Sequence, residues 1–425
     1  MLYFFFKNNI WKNFDHFIVK RLRLFYFKNN PTFLLFKAYL EEKITIQQFK
    51  NRIYLAVPTI YVKHKKIKNF LQNYDLTIRN GNIEGEELHL RNLVFVIFWD
   101  VYNGLENPFS LLIRTQINTL MNYLNSLFNL RLRETEKLKF ELFLGIFLCR
   151  IKHKNHLRKR EDFFLMDSKV KIQLINNLKN RLFETNMMQE EYEIIEVKYL
   201  LGFLKMLVGE KIPITIKKEK FKKIDHVSWK IAKKLTQFIP YKDNRKNFYT
   251  RLEDGITEIN RKHLVFENVL CWFNLEEQEK KVVHLYPLYS QAIKKVLAIY
   301  ESKLFSYQDR WNLFYQYFFL LIELLPHHYY FEPIYVCIDF SRGKSYTKFI
   351  QRQFDHLQDL NIFVENYLSS KTDIFISDFE VPNLSVKQVI WNNPLILDDW
   401  QLFLSKFTQL IKEERLLKSK FKDFK

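Results

Sequence analysis

The sequence is poor in the residues that cross-link chains, bind zinc or make tight turns. Its three cysteines, Cys149, Cys271 and Cys337, form no CxxC pair and stand in no Cys/His cluster, which excludes a disulfide scaffold and a structural zinc site. Eight glycines and ten prolines in 425 residues leave room for few tight turns, so long helices are favoured over sheets. Long apolar runs are missing too. The stretch from Tyr315 to Leu325 is about half the length a membrane span needs, and it contains Glu323. The N-terminal MLYFFFKNNIW is interrupted by Lys7 and Lys12 and lacks a small-residue cleavage site. Together these absences predict a soluble, cytoplasmic protein with no membrane partner. No cofactor motif occurs, and no cofactor is expected.

What the chain has is basic charge and apolar bulk. It is 48% hydrophobic and 27% charged, enough to bury cores, and at roughly 150 residues per domain it should hold about three. The net charge is +20. Residues 1–80 hold fifteen basic and four acidic side chains, a net +11. Charge carried for solubility has no reason to gather in one region, whereas binding a phosphate backbone requires such gathering.

Within that basic region the spacing predicts three helices and a hairpin. Phe33, Phe36 and Leu40 make a helical stripe that ends at Glu41-Glu42-Lys43. Thr45 and Gln48 form a capping-box pattern for a short second helix. A third helix follows, with Ile60, Ile67 and Leu71 on one side and Thr59, Lys63, Lys65, Lys66 and Lys68 on the other. The segment LTIRNGNIEG alternates around Asn80-Gly81, the dipeptide best suited to a tight hairpin turn. Three such helices with an exposed basic third one suit a helix-turn-helix, and the hairpin suits a wing with Arg79 at its tip.

At IYLAVPTIYVKHKKIKNFL and the following YDLTIRNGNIEGEELHLRNLVFVIFWDVYNG, the chain resembles the Mga family of Gram-positive transcriptional regulators, a family that includes virulence regulators. The resemblance implies double-stranded DNA as partner, with Thr59, Tyr61, Lys63, Lys65, Lys66, Lys68 and Arg79 as DNA-binding residues. The chain departs from the family pattern at Ala56, Val57 and Pro58, where a serine is usual in the turn, and at Val62, where an arginine is usual. The family also carries another winged helix-turn-helix ahead of this one. Residues 1–30 are therefore expected to be a remnant, left by truncation or a late start.

The remaining chain reads as three more modules. Five helical segments run from Glu86 to about Gly209: HLRNLVFVIFWDVY, FSLLIRTQINTLMNYLNSLF, TEKLKFELFLGIFLCRI, SKVKIQLINNLKNRLF and EEYEIIEVKYLLGFLKML. Four more, HVSWKIAKKLTQFI, FYTRLEDGITEINRKHLVF, LYPLYSQAIKKVLAIYESKLF and RWNLFYQYFFLLIELL, reach about Pro326. Strands and a helix then alternate from Glu332, as in a small parallel α/β sheet. In the resembled family these places are held by two PTS regulation domains and an EIIB-like dimerisation domain. The expected divisions are 31–86 for the winged helix-turn-helix, 87–212 and 220–328 for the bundles, and 332–425 for the α/β module.

A PTS regulation domain can take phosphate on histidine from the phosphocarrier HPr. The resemblance places that residue at His156, or less favourably His153, in the first bundle and at His263 in the second. His156 has Lys154, Arg158, Lys159 and Arg160 near it in sequence, and His263 has Arg261 and Lys262. Each equally fits a solvent-facing histidine at a basic helix end. Gly343-Lys344-Ser345 does not complete a Walker A loop, because Ile338 stands where its first glycine belongs. The same Ile338 fills the slot of an EIIB nucleophile, and Cys337, one residue away, reads as a small core residue.

The sequence thus predicts a mainly α protein with a winged helix-turn-helix, two helical bundles and a C-terminal α/β module. It is expected to bind DNA as a homodimer, under control of phosphorylated HPr, and not to be an enzyme. The alternative is a regulatory partner that has lost DNA binding and forms mixed dimers with a complete relative.

Overall fold

The computed structural model describes residues 16–53, 55–166, 190–209, 212–239, 245–266, 287–304, 309–325, 333–355 and 361–391, with 409 and 413. The chain divides into two compact units, Met1–Asp225 with Asn260–Phe273 and His226–Ile259 with Asn274–Lys425.

The first unit opens with helix α1 (His16–Lys28), inside the segment expected to be a remnant. Helix α2 (Pro31–Glu41) starts at the Asn30 cap, whose side chain accepts from the Thr32 amide. Helix α3 (Ile46–Lys50) begins with the expected Thr45/Gln48 capping box. Helix α4 (Val57–Gln72) follows, and strands β1 (Thr77–Arg79) and β2 (Asn82–Glu84) pair antiparallel. Helices α5 (Glu87–Tyr102), α6 (Leu111–Phe128) and α7 (Glu134–Lys152) come next. Strand β3 (Phe164–Met166), helix α8 (Glu190–Val208) and strand β4 (Ile214–Ile216) complete this part, with β3 and β4 antiparallel.

Its interior is aromatic. Phe143 of α7 stacks on Phe203 of α8 with ring centroids 3.9 Å apart, and Phe140, Phe147, Tyr199 and Phe266 surround the pair. Gly145 lets α7 pass close to Phe109: a Cβ there would lie 2.0 Å from that ring. Packed rings of this kind contribute dispersion and edge interactions beyond their area burial.

Helices α9 (Lys218–Phe238) and α10 (Arg245–Val265) belong to both units, because the division passes through each of them. The second unit adds helices α11 (Pro287–Leu304) and α12 (Asp309–Leu324). Its sheet has strands β5 (Ile334–Ile338), β6 (Ile362–Glu365), β7 (Ile374–Ser377) and β8 (Lys387–Ile390), in the order β6-β5-β7-β8 and parallel throughout. Helix α13 (Lys344–Asp355) connects β5 to β6 and lays Ile350 and Phe354 on Ile334, Val336 and Ile338. Strand β8 was not foreseen from the sequence, nor were β3 and β4.

The helix expected at 168–183, Cys271, His284, His327, His328 and the basic C-terminal tail lie outside the described residues. Among those that are described, no helix is long and apolar enough to cross a membrane.

Candidate nucleic-acid interface

Helix α4 forms where the sequence places it. Its cap is Ala56, which makes no side-chain hydrogen bond, and Pro58 lies in the first turn. Ile60, Ile67 and Leu71 are buried as the spacing predicts. Between them His64 is half-buried and accepts or donates at Nδ1 to the Tyr39 hydroxyl of α2, 2.9 Å away. Burial, and then Lys68, lowers the His64 ring from its ordinary value. Burial, and then Tyr61, pushes the Tyr39 phenol up to about 12. This polar pin between α2 and α4 escaped the sequence reading, since either residue alone reads as surface.

The outer face of α4 carries Thr59, Tyr61, Val62, Lys65, Lys66 and Lys68, all exposed, with Lys63 half-buried at its edge. Among the described residues, none of the four lysines pairs with a carboxylate. Four unneutralised ammonium groups on one helix are the charge a phosphate backbone seeks.

The hairpin turns where expected, with Asn80 at φ +49° and Gly81 at φ +72°. Arg79 is exposed and lies 3.9 Å from Glu84, a surface pair too weak to withdraw it from a phosphate. The returning strand is not exposed. Asn82 and Ile83 are buried, and a Cβ on Gly81 would meet the Ile44 carbonyl oxygen at 2.4 Å. The hairpin is therefore built into the unit on one edge and open only on the other.

What holds it is a buried ionic network that the sequence did not announce. Arg150, at the end of α7, donates to Asn82 Oδ1 at 3.2 Å and to the Ile83 carbonyl at 3.0 Å. The same guanidinium clamps both oxygens of Glu87 at 2.9 and 2.8 Å. Glu87 also accepts from Arg91 Nε at 2.9 Å, and Arg91 forks onto Glu196 at 2.6 and 2.8 Å. Two guanidiniums and two carboxylates balance, which makes such burial tolerable. Burial would raise the Glu87 carboxyl, but Arg150 and Arg91 together hold it below the ordinary carboxylate range. Only the i,i+4 pair Glu87/Arg91 leaves a trace in the sequence.

The loop after α7 joins this network. Asn155 accepts from Asn82 at 3.2 Å through its side chain and from Arg91 at 3.2 Å through its carbonyl. His153 caps α7 and donates from Nε2 to the Glu41 carbonyl at 2.5 Å, while Lys43 donates back to the His153 carbonyl. His156 is 15% exposed, and its Nδ1 lies 3.9 Å from Glu196 Oε1. Burial, then Arg91, drives its ring down to about 4, so it is neutral at pH 7. Its cationic sequence neighbours are partly spoken for: Lys159 pairs with Glu191 and Arg160 with Glu86.

His263 departs from the exposed setting expected of it. It is 7% exposed on the last turn of α10, and Arg261 is bound bidentately by Asp225 at 2.7 and 2.8 Å. At the same helix end, Asn92 of α5 donates to the Val265 carbonyl at 3.1 Å.

In the second unit, Cys337 is buried and its thiol is pushed up to about 11 by burial, then by Asp339 and Glu365. Ile338 points into the α13 side of the sheet. The loop before α13 is closed by a carboxylate, since Ser341 donates to Asp378 from its amide at 2.8 Å and from its hydroxyl at 2.5 Å. An anion approaching these donors would meet Asp378 instead.

Over 250 residues the chain is 24% identical to the capsule synthesis positive regulator AcpB of Bacillus anthracis, covering 55% of this chain and 48% of that protein. The chain thus spans about half the length of this curated relative. Residues 15–98, from α1 through most of α5, match the Mga helix-turn-helix domain, which supports a helix-turn-helix domain in the N-terminal region.

Proposed function

We propose that the chain is a DNA-binding transcriptional regulator of the Mga type, reading duplex DNA with the outer face of α4 and the open edge of the hairpin. The observation that carries this reading is the set of unpaired cations Lys63, Lys65, Lys66 and Lys68 on the helix of the matched domain, with Arg79 beside it. Tyr61 and Val62, both more than half exposed, are the side chains available for base edges. A single domain of this size makes few phosphate contacts, so the regulator acts as a homodimer joined through 332–425.

The test is duplex binding by the full chain, followed by anisotropy between 50 and 200 mM salt. Five neutralised phosphates give a log–log slope of about −4.5. Lys65→Glu with Lys68→Glu should flatten the slope and weaken all sequences alike. Absence of salt-dependent binding by the intact chain sinks the reading.

Control by phosphorylation rests on His156. A phosphoryl group there brings about −2 charge next to Glu196, against which Arg91 would have to turn. Because Asn155 ties the same loop to Asn82, that change reaches the hairpin. The burial of His156 requires the loop to open before a phosphocarrier reaches the ring. Incubation with phosphorylated HPr and mass spectrometry of the peptides holding His153, His156 and His263 tests it, and no label at any of them removes the mechanism.

A further inference from the structure

The flank of α4 with Lys66, Ile67 and Phe70 borders an open hollow of about 330 Å³ lined by α1, α2, α4 and α5. Its walls are Phe27, Phe33, Phe36, Ile67, Phe70 and Ile97. The floor is deep, with Phe33, Phe36, Ile67 and Val101 all buried, whereas Phe70 is 40% exposed at the mouth. The polar groups are few and one-sided. Arg23 is neutralised by Asp100 within the wall, which leaves Lys66 as an unpaired cation on the lining. Asn30 and Thr32 bring the positive end of the α2 dipole to the same hollow. A pocket of this volume, chiefly apolar in its exposed lining with a little convergent polarity, has the form of a small-molecule site.

We infer that this hollow binds an amphipathic monocarboxylate, its chain against the phenylalanines and its carboxylate at Lys66. The charge at the mouth selects the sign: a cation would be repelled by Lys66, and a second anionic group would find no partner. A peptide segment is disfavoured because the exposed lining is chiefly apolar and would leave most of its amides unpaired. At about 330 Å³ the hollow lies at the small end of the range for ligand sites, which suits a single medium-length chain. The walls come from four of the five helices that begin in the matched stretch, so occupancy would fix α4 against α5. That consequence rests on the DNA-reading proposal, whereas binding itself does not.

The probe is decanoate, titrated below its micelle concentration into the full chain by calorimetry, with decanol as the uncharged match. One decanoate per chain should bind with a Kd on the order of 100 μM. Lys66→Met should weaken decanoate about fivefold and leave decanol unchanged. Filling the floor with Val101→Trp should abolish both, and Ile97→Trp, on a half-exposed wall position, does the same if the first variant folds poorly. Failure of the native chain to bind decanoate overturns the inference. So does a folded Trp variant that binds as the native chain does, or a Lys66→Met variant that treats acid and alcohol as before. No DNA enters the experiment, so its outcome is separate from that of the DNA reading.

Discussion

Arg150 donates to the main-chain carbonyl of Ile83 at 3.0 Å, so the last turn of α7 and the returning strand of the hairpin share one buried charge. The hairpin is therefore positioned by the core of the helical region as much as by its own turn. Disturbing Arg150, Glu87 or the Asn155 loop is therefore expected to change how the edge with Arg79 is held.

Removing one member of this network should cost far more than removing a matched pair. Arg150→Ala leaves Glu87 with Arg91 alone and strips the Ile83 carbonyl of a donor. The expected loss is about 3–5 kcal/mol, read from the urea midpoint. Arg150→Met with Glu87→Leu leaves Arg91 and Glu196 as a neutral pair. That double variant should recover at least half of the loss. Equal destabilisation by the two would show that hydrogen bonds to the hairpin, and not charge balance, dominate.

The turn supplies an independent check. Gly81→Ala faces a φ of +72° and a carbonyl oxygen 2.4 Å from the new Cβ, and the oxygen belongs to backbone that cannot swing aside. A cost of about 2–3 kcal/mol in thermal unfolding is expected. Asn80→Gly, at φ +49°, keeps the turn and should be within about 0.5 kcal/mol of the native chain.

How much of this was legible beforehand differs by kind of interaction. The buried face of α4, the Thr45/Gln48 cap and the Asn80-Gly81 turn were readable because each depends on residues a few positions apart. Helix α1 carries its own periodic stripe at Ile18, Leu22 and Phe25, but all three are exposed, and it lay in a segment taken for a remnant. Strands β3 and β4 pair Phe164 with Ile216 across the whole of α8, and three-residue strands have no local signature. The charged network was hidden for the same reason: Arg91, Arg150 and Glu196 each look like solvated helix residues until the fold brings them together. His263 misled because its basic neighbours suggested solvent, whereas Arg261 is held by Asp225.

His156 makes stability depend on pH in a defined sense. Its ring titrates near 4 in the folded chain and near its ordinary 6.5 when unfolded. Between those values the unfolded chain binds the proton first, so stability falls as pH drops from about 6.5 toward 4. The loss from this one ring is on the order of 2–3 kcal/mol at the lower end. His156→Gln removes the term, and the gap between native and variant chains should shrink steadily from pH 7 to pH 4.5 in urea titrations. A gap that stays constant would mean that the ring is solvated.

The cysteines give a final contrast. Burial, with Glu41 adding to it, pushes the Cys149 thiol up to about 12, and burial with Asp339 and Glu365 takes Cys337 to about 11. At pH 8 the thiolate fraction of each is then at most about one part in a thousand, and neither sulfur is open to a reagent. Iodoacetamide under native conditions should leave both unmodified over hours, with the sites located by mass spectrometry, whereas the same treatment in guanidinium should label them fully. Rapid native labelling of Cys337 would give it the exposed, reactive character of a nucleophile, and the core role assigned to it by its place beside Ile338 would be lost.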